Sequence, residues 1–377
     1  MRLSRMQNSL RVILVFSGPS GGHLFPAQAF AEAAHAESSD YKIVLVTSIR
    51  AQNLCLKFPA GIFSEIVFLP EFGSPIGFSF AGLRALLNIP VANIQSWNLL
   101  SRLKPDLCVG FGSFVSYFGM LFAAWRGIPT LIHEQNQVPG KATRMLQCWI
   151  KTIATSFPET AFRRKPREVV FTGLPIRREI RENRLDLNRK AEQPFTVLVC
   201  GGSQGSAFLN QAVLSAFSGF TAEERAQFAV IHIAGNGQDH SIREAYQRLG
   251  VSAEVMPFFE KMWLLYNRAD MAVSRAGANS SFEQALYGIP TVFIPYPYAE
   301  GHQSENAKYF VDQKGALIVV QSEESAGELA AILRSWESRP ESFREMGRVM
   351  RRLSFENGDI RLWNIAKNML KLNTCNS

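Results

Sequence analysis

The sequence predicts an α/β protein built from two doubly wound domains with parallel sheets. Three observations carry that expectation. Short apolar, β-rich runs alternate with longer helical stretches, the layout of βαβ units. That layout restarts in mid-chain. Each copy opens with an apolar run that empties into a Gly-rich loop, SGPSGGH at Ser17–His23 and CGGSQGS at Cys200–Ser206. A chain of 377 residues is long enough for two ordinary domains.

In the first half, Val12–Phe16, Ile43–Thr47, Ile66–Leu69, Leu107–Gly110, Thr130–His133 and Val169–Phe171 read as buried parallel strands. The amphipathic stretches Ala27–Ala36 and Leu83–Leu103 read as helices between them. A charged linker, Gly173–Gln193, has a helical pattern over Arg177–Lys190. In the second half, Val197–Cys200, Ala229–Ala234, Ala253–Val255, Met271–Ser274, Thr291–Ile294 and Leu317–Val319 read as strands, and Ala326–Leu372 as helices. The expected division is therefore residues 1–172, residues 173–355, and a last helix, 356–377, packing back on the first domain.

Composition removes several function classes. At 47% apolar and 19% charged, the chain is not a disordered one. No run approaches the ~20 apolar residues of a membrane helix; Phe114–Trp125 ends at Arg126 and Gly127. The basic start followed by Val12–Phe16 mimics a leader, but the run is short and enters a Gly-rich loop, as a first strand does. Five scattered cysteines (Cys55, Cys108, Cys148, Cys200, Cys375) contain no CxxC spacing, so neither a zinc site nor a disulfide framework is indicated, and a reducing cytosol is expected. The net charge of +8 lies wholly in the first half: residues 1–172 hold 17 Lys+Arg against 9 Asp+Glu, and the remainder 23 against 23. An anionic membrane, an anionic substrate, nucleic acid or a simple solubility surface each fits that asymmetry. A nucleic-acid binder would need a basic patch interleaved with aromatics, and none is evident.

The loop Ser17–Ala27 follows a strand and opens a helix, so its N–H groups and the helix dipole favour an anion. It fits neither GxGxxG nor GxxxxGK[ST], which disfavours a nicotinamide dehydrogenase and a P-loop NTPase. His23 follows the glycines directly. At a helix start its pKa is lowered, and a neutral imidazole is what a general base needs near pH 7; capping or phosphate binding are the other roles open to it. The second loop repeats the logic with Ser203 and Gln204, and two cradles in matched domains suggest a diphosphate held in a cleft between them. In SRAGANSSFE, Ser274–Glu283, Gly277 turns the chain and Asn279, Ser280 and Ser281 stand at a helix start. Glu283 there suits a pair of ribose hydroxyls or a helix cap. His302-Gln303-Ser304-Glu305-Asn306 opens a further helix with amides that read sugar hydroxyls or cap. HEQN, His133–Asn136, follows a strand at its carboxyl end, where ligands bind in such sheets; it is not HExxH, because residue 137 is Gln. No DxD pair is placed for a divalent cation.

Taken in order, these segments resemble the MurG family, bacterial N-acetylglucosaminyltransferases that convert lipid I to lipid II in peptidoglycan synthesis. The match runs from about Val12 to Gly315. GPSGGHLFPA resembles the family's GGTGGHxxPA; HEQN and GGSQG are intact, the latter followed by Leu209-Asn210; SRAGANSSFE resembles SGAxTxxE, and GLPIR resembles GNPVR. Four departures stand out. Pro19-Ser20 replace Gly-Thr, Ser113-Phe114 replace the Gly-Tyr of GFGGY, Leu174 replaces Asn, and Ala276 replaces a Ser.

The resemblance implies a GT-B fold, two Rossmann-like domains facing each other across a cleft. The first would face the membrane and the lipid acceptor, and the second would hold UDP-GlcNAc. It implies His23 as the base and a donor site of Ser20, Gly21, Gly22, Asn136, Arg177, Ser203, Phe259, Ala278, Asn279, Ser280, Ser281, Phe282, Glu283 and Gln303. Arg177 and Ser203 would meet the UDP, the Phe259 backbone the uracil, Glu283 the ribose, and Gln303 the GlcNAc hydroxyls. Metal-independent transfer without a cofactor is implied, at the cytoplasmic face of the membrane. The partners implied are UDP-GlcNAc, lipid I, an anionic membrane surface and other cell-wall synthesis proteins. The apolar stretch Phe72–Pro90, with Phe78, Phe80 and Leu83, reads either as an interfacial anchor or as a packed core helix. The alternatives are a GT-B transferase with another lipid acceptor such as diacylglycerol, a nucleotide-sugar 2-epimerase, for which no acidic groups can be placed, and an inactive nucleotide-sugar-binding subunit.

Overall fold

The computed structural model describes residues 10–70, 80–164, 166–185, 194–202, 205–298 and 301–375. It divides into two units, Met1–Arg177 with Asn357–Ser377, and Arg178–Glu356. Residues Gly173–Arg177 thus group with the first unit rather than opening the second.

The first unit runs β1 (Arg11–Phe16), α1 (Gly21–Glu37), β2 (Tyr41–Ser48), α2 (Gln52–Cys55), β3 (Glu65–Leu69), α3 (Phe80–Leu103), β4 (Leu107–Gly110), α4 (Ser113–Trp125), β5 (Thr130–Glu134), α5 (Lys141–Leu146), β6 (Thr152–Thr155) and β7 (Glu168–Phe171). Among the described residues its sheet has seven strands in the order β3-β2-β1-β4-β5-β6-β7, all parallel. Alternation along β1 explains why the whole strand is apolar. Ile13 and Val15 pack with Leu24, Ala27 and Phe30 of α1 on one face, while Leu14 and Phe16 pack with Leu99, Val115 and Met120 of α3 and α4 on the other. Strand β6 is an addition to the sequence expectation. Its two threonines are buried with their hydroxyls satisfied, Thr152 donating to Glu168 Oε2 at 2.6 Å and Thr155 to the Phe157 carbonyl at 3.0 Å.

The second unit runs α6 (Arg178–Glu182), β8 (Phe195–Cys200), α7 (Ala207–Ser218), α8 (Ala222–Ala226), β9 (Phe228–Ile233), α9 (Asp239–Leu249), β10 (Ser252–Met256), α10 (Met262–Tyr266), β11 (Met271–Ser274), α11 (Ala278–Leu286), β12 (Thr291–Phe293), α12 (His302–Asp312), β13 (Ala316–Ile318), α13 (Ser325–Ser338) and α14 (Pro340–Leu353). Its sheet, among the described residues, is β10-β9-β8-β11-β12-β13, again all parallel. The helix expected over Arg177–Lys190 is much shorter: α6 stops at Glu182, and residues 186–193 lie outside the described residues. A buried polar chain stiffens the loop after β9. Asn210 Nδ2 donates to the Ala234 carbonyl (2.8 Å) and to Gln238 (2.7 Å), its Oδ1 faces His232 Nε2 (2.9 Å), and His232 Nδ1 faces the Tyr246 hydroxyl (2.8 Å). Burial pushes His232 down to about 3, so it is neutral.

The chain then returns to the first unit as α15 (Gly358–Cys375), which packs on α1. Trp363 sets its ring edge-on to Phe30 and Tyr41, and its indole N–H donates to Glu37 at 2.7 Å. Lys367 pairs with the same carboxylate, and Arg11 reaches the Leu370 carbonyl at 2.7 Å. Truncating a buried ring of this size is expected to cost about 3–5 kcal/mol.

Candidate functional site

In the first sheet, β1 and β4 are neighbours from which the chain winds away in opposite directions, so their carboxyl ends form a topological switch point. Three loops meet there, after β1, β4 and β5, and they enclose one side chain. His23 sits in the first turn of α1, its N–H donating to the Ser20 carbonyl at 3.0 Å. A Cβ on Gly18 would fall 2.5 Å from the His23 ring and 2.6 Å from Ser113, so only glycine lets the β1 loop close over the imidazole. Gln135 Oε1, from the β5 loop, faces His23 Nδ1 at 3.3 Å, and the Phe111 backbone, from the β4 loop, hydrogen-bonds the same ring. The His23 pKa lies below the usual histidine value. Burial is the leading cause, outweighing Glu134, Gln135 and Phe111, which act in the opposite direction.

The HEQN loop is organised by its own acid. Glu134 Oε1 accepts from the Asn136 backbone (3.0 Å) and side chain (3.3 Å), and Oε2 from the Gly140 N–H (3.0 Å). Ser20 is the N-cap of α1, yet its hydroxyl makes no capping bond and stands exposed beside Gly21 and Gly22. Arg177, expected at the nucleotide, is buried in the first unit with its guanidinium stacked 4.0 Å from the Phe25 ring of α1.

The second sheet has the same switch point between β8 and β11. Here the buried group is Arg275, at the end of β11. Its Nε and Nη2 donate to Ser206 Oγ (3.1 and 2.8 Å) and its Nη1 to the Ile294 carbonyl (2.8 Å). Ser206 is also the N-cap of α7, accepting from the Leu209 N–H at 3.2 Å. Gly205, with φ of +73°, turns the loop where a Cβ would strike the Ala234 carbonyl. Cation and helix start together make this an anion-favouring end of the sheet.

Ala278, Asn279, Ser280, Ser281, Phe282 and Glu283 all lie in α11, whose N-cap Gly277 carries no side chain. Ser281 is buried with its hydroxyl unmatched, and Phe282 is core, packed on Phe310. Glu283 is the sixth residue of the helix and does not cap it. It is buried and accepts from the Tyr266 hydroxyl at 2.9 Å. Gln303 opens α12, with Oε1 accepting from the Tyr296 N–H at 3.0 Å. Phe259 lies half-buried in the loop after β10. Ser203 and Phe78 lie outside the described residues. Thus His23, Ser20, Gly21, Gly22, Asn136 and Arg177 fall at the end of one sheet, and Phe259, Ala278–Glu283 and Gln303 belong to the other unit.

Sequence reasoning passed over Gln135, His133, Arg275 and Tyr266. A signal existed for the first two, since HEQN was singled out; nothing in the sequence pairs Tyr266 with Glu283. Among the described residues no three His, Cys, Asp or Glu side chains gather as metal ligands.

A model of the glycosyltransferase family 28 N-terminal domain matches residues 12–155, and one of the family 28 C-terminal domain matches residues 196–359. The UDP-N-acetylglucosamine--N-acetylmuramyl-(pentapeptide) pyrophosphoryl-undecaprenol N-acetylglucosamine transferase of Desulfotalea psychrophila is 36% identical over 350 residues, covering 91% of this chain and 92% of that protein. The enzyme of the same name from Myxococcus xanthus is 34% identical, covering 89% and 86%. The crystal structure of Acinetobacter baumannii MurG superposes with a TM-score of 0.76 at 26% identity, covering 95% of this chain and 99% of that one. The glycotransferase of kitacinnamycin, at 17% identity and a TM-score of 0.70, shares the fold. Two parallel-sheet α/β units carrying the two family 28 halves make a GT-B fold, and the chain belongs to the MurG family of UDP-GlcNAc-dependent glycosyltransferases.

Proposed function

We infer that this chain transfers GlcNAc from UDP-GlcNAc to the MurNAc C4 hydroxyl of undecaprenyl-diphosphate-MurNAc-pentapeptide, forming lipid II for peptidoglycan synthesis. The observation that carries the chemistry is His23, a neutral imidazole held by three loops at the switch point of the first sheet. The transfer is a single displacement. His23 takes the proton of the C4 hydroxyl as its oxygen attacks the anomeric carbon. The bond from that carbon to the UDP oxygen breaks, and the configuration inverts.

The second unit serves the nucleotide sugar. Glu283 is set by Tyr266 to accept from the ribose hydroxyls, the Phe259 backbone meets the uracil, and Gln303 reads the GlcNAc hydroxyls. Charge developing on UDP is met by the α11 start with Asn279, Ser280 and Ser281, and by Ser203. Ser20, Gly21, Gly22, Asn136 and Arg177 are the donor contacts of the first unit.

We place the protein peripherally at the cytoplasmic face of the membrane. No helix among the described residues is long and apolar enough to cross one. What supports a surface contact is a run of exposed aromatics. Trp97, Phe122, Trp125 and Trp149 follow one another at ring distances of 5.6, 5.8 and 6.0 Å, with Trp97, Trp125 and Trp149 about half exposed. Arg126 stacks 3.7 Å over Trp97, and Arg102, Lys104 and Lys151 are exposed on the same elements or beside them. Tryptophan with Lys and Arg suits the headgroup level of an anionic bilayer. Of the expected anchor segment Phe72–Pro90, residues 72–79 lie outside the described residues and the rest opens α3.

The test is UDP release from UDP-GlcNAc with and without a lipid I analogue, in EDTA. Release that requires the acceptor and survives EDTA supports the transfer and its metal independence. Bound UDP-GlcNAc with no release on lipid I, but release on diacylglycerol, would assign a different acceptor. Serine at Trp97, Trp125 and Trp149 together should abolish binding to anionic vesicles and leave UDP-GlcNAc binding unchanged.

A further inference from the structure

We propose that Gln135, itself oriented by His133, is a positioning residue that locks His23 in the Nδ1–H tautomer and so presents Nε2 as the proton acceptor. This rests on His23 being the general base and adds how it is made competent.

The direction of each hydrogen bond follows from one backbone group. Gln135 Nε2 lies 2.9 Å from the His133 carbonyl, which can only accept. The amide is therefore oriented with its nitrogen inward and its Oε1 toward His23. An amide oxygen is only an acceptor, so His23 Nδ1 must carry the hydrogen. The β4 loop meets the same edge of the ring, since a Cβ on Gly112 would fall 3.2 Å from both Nδ1 and Cε1, so the Phe111 carbonyl shares the Nδ1 hydrogen and the lone pair of the neutral ring sits on Nε2, the atom that must take a proton. On the other side, Gln135 Nε2 also lies 3.2 Å from His133 Nδ1, so that nitrogen is the unprotonated one. His133 Nε2–H then points to the Gly173 carbonyl and Ser156 Oγ, both at 3.4 Å. The result is a one-way chain: His23 to Gln135, Gln135 to His133, His133 to Gly173.

His133 is fully buried and Gln135 nearly so. Burial pushes His133 down to about 3, so it stays a neutral acceptor for the Gln135 amide. An amide in this place differs from the carboxylate that orients the base in a Ser-His-Asp triad. It selects the tautomer without adding a negative charge that would raise the pKa of His23.

The experiment is the ring nitrogen spectrum of uniformly 15N-labelled full-length protein at pH 7.5, with His23→Ala used to assign His23. The expected result is a protonated Nδ1 and an unprotonated Nε2 on His23. In Gln135→Leu the His23 pattern should move toward Nε2–H, and kcat should fall about 100-fold while KM for UDP-GlcNAc changes less than about threefold. If the leucine variant does not fold, the wild-type spectrum decides alone, with Nδ1–H on His23 supporting the proposal. A wild-type His23 protonated at Nε2, or a His23 spectrum unchanged in Gln135→Leu, overturns the proposal. A wild type with the expected tautomer that fails to use lipid I supports the proposal and overturns only the acceptor assigned above.

Discussion

At the switch point of the first sheet the buried functional group is a neutral imidazole; at that of the second it is a guanidinium. His23 is surrounded by groups that direct its single proton: Gln135, the Phe111 backbone and, behind them, His133. Arg275 is surrounded by neutral acceptors, Ser206 Oγ and the Ile294 carbonyl, and stands beside the N-cap of α7. An arginine keeps its charge whatever the pH, so this end of the sheet attracts anions permanently. The same βαβ topology thus supports two chemistries. On the function proposed above, one end moves a proton and the other holds charge, and the difference lies in which side chain each sheet end buries.

If that contrast is right, variants at the two ends should fail in different kinetic constants. The largest effect is expected from His23→Ala. Losing a general base lowers kcat by about 10²–10⁴-fold, with KM for UDP-GlcNAc nearly unchanged. Steady-state kinetics at saturating acceptor reads this directly, and near-normal turnover would remove His23 from the role. Glu283→Gln should do the reverse. If Glu283, which accepts from Tyr266, holds the ribose as proposed, each hydrogen bond from the ribose to its carboxylate is worth about 1.5–3 kcal/mol, so KM should rise at least about tenfold while kcat falls little. A Glu283 variant that lost kcat alone would break the comparison.

The two units should nonetheless respond alike to acid. Each buries a histidine, His133 in one and His232 in the other, pushed down to about 3. Unfolded histidines take a proton near pH 6.5 and these do not until far lower, so the unfolded state binds more protons through that window. Stability is therefore fully present above pH 6.5 and is lost as pH falls toward 3, at about 1.4 kcal/mol per pH unit for each group. Urea unfolding at pH 7, 5.5 and 4.5 measures the slope. His232→Gln should lower it by about 1.4 kcal/mol per pH unit and leave the His133 part, and a slope unchanged in that variant would mean that His232 does not contribute.

What was legible in the sequence follows from the same physics. Strands buried on both faces are unbroken apolar runs, so β1, β4, β8 and β11 stand out. Strand β6 did not, because Thr152 and Thr155 are polar, and the hydrogen bonds that fit them to a buried position, to Glu168 on β7 and to the Phe157 carbonyl, leave no mark as an apolar run. His23 was legible as a candidate because it directly follows a Gly-rich turn at a helix start, although capping and phosphate binding were open to it as well. Its support was not, since Gln135 acts through a side-chain orientation set by the His133 carbonyl. Arg177 was legible only as a motif residue. The motif marked it as a nucleotide contact; its stacking on Phe25 was not visible, because it depends on a ring 152 positions earlier in the sequence, which no local pattern records.

The smallest effect tests the loop that closes the proton-handling end. Ser113 follows β4 with φ of +70°, the left-handed region, and begins α4 beside Gly18. A residue with a Cβ is strained there by about 1–2 kcal/mol. Glycine removes that strain but adds freedom to the unfolded chain, which takes back about 0.4–1 kcal/mol. Ser113→Gly should therefore stabilise the protein by up to about 1 kcal/mol, read as a small rise in Tm. If the strain also helps press the β4 loop onto His23, kcat should drop slightly as Tm rises. Higher Tm with unchanged kcat would show that the closure depends on Gly18 and Gln135 and not on the strain at Ser113.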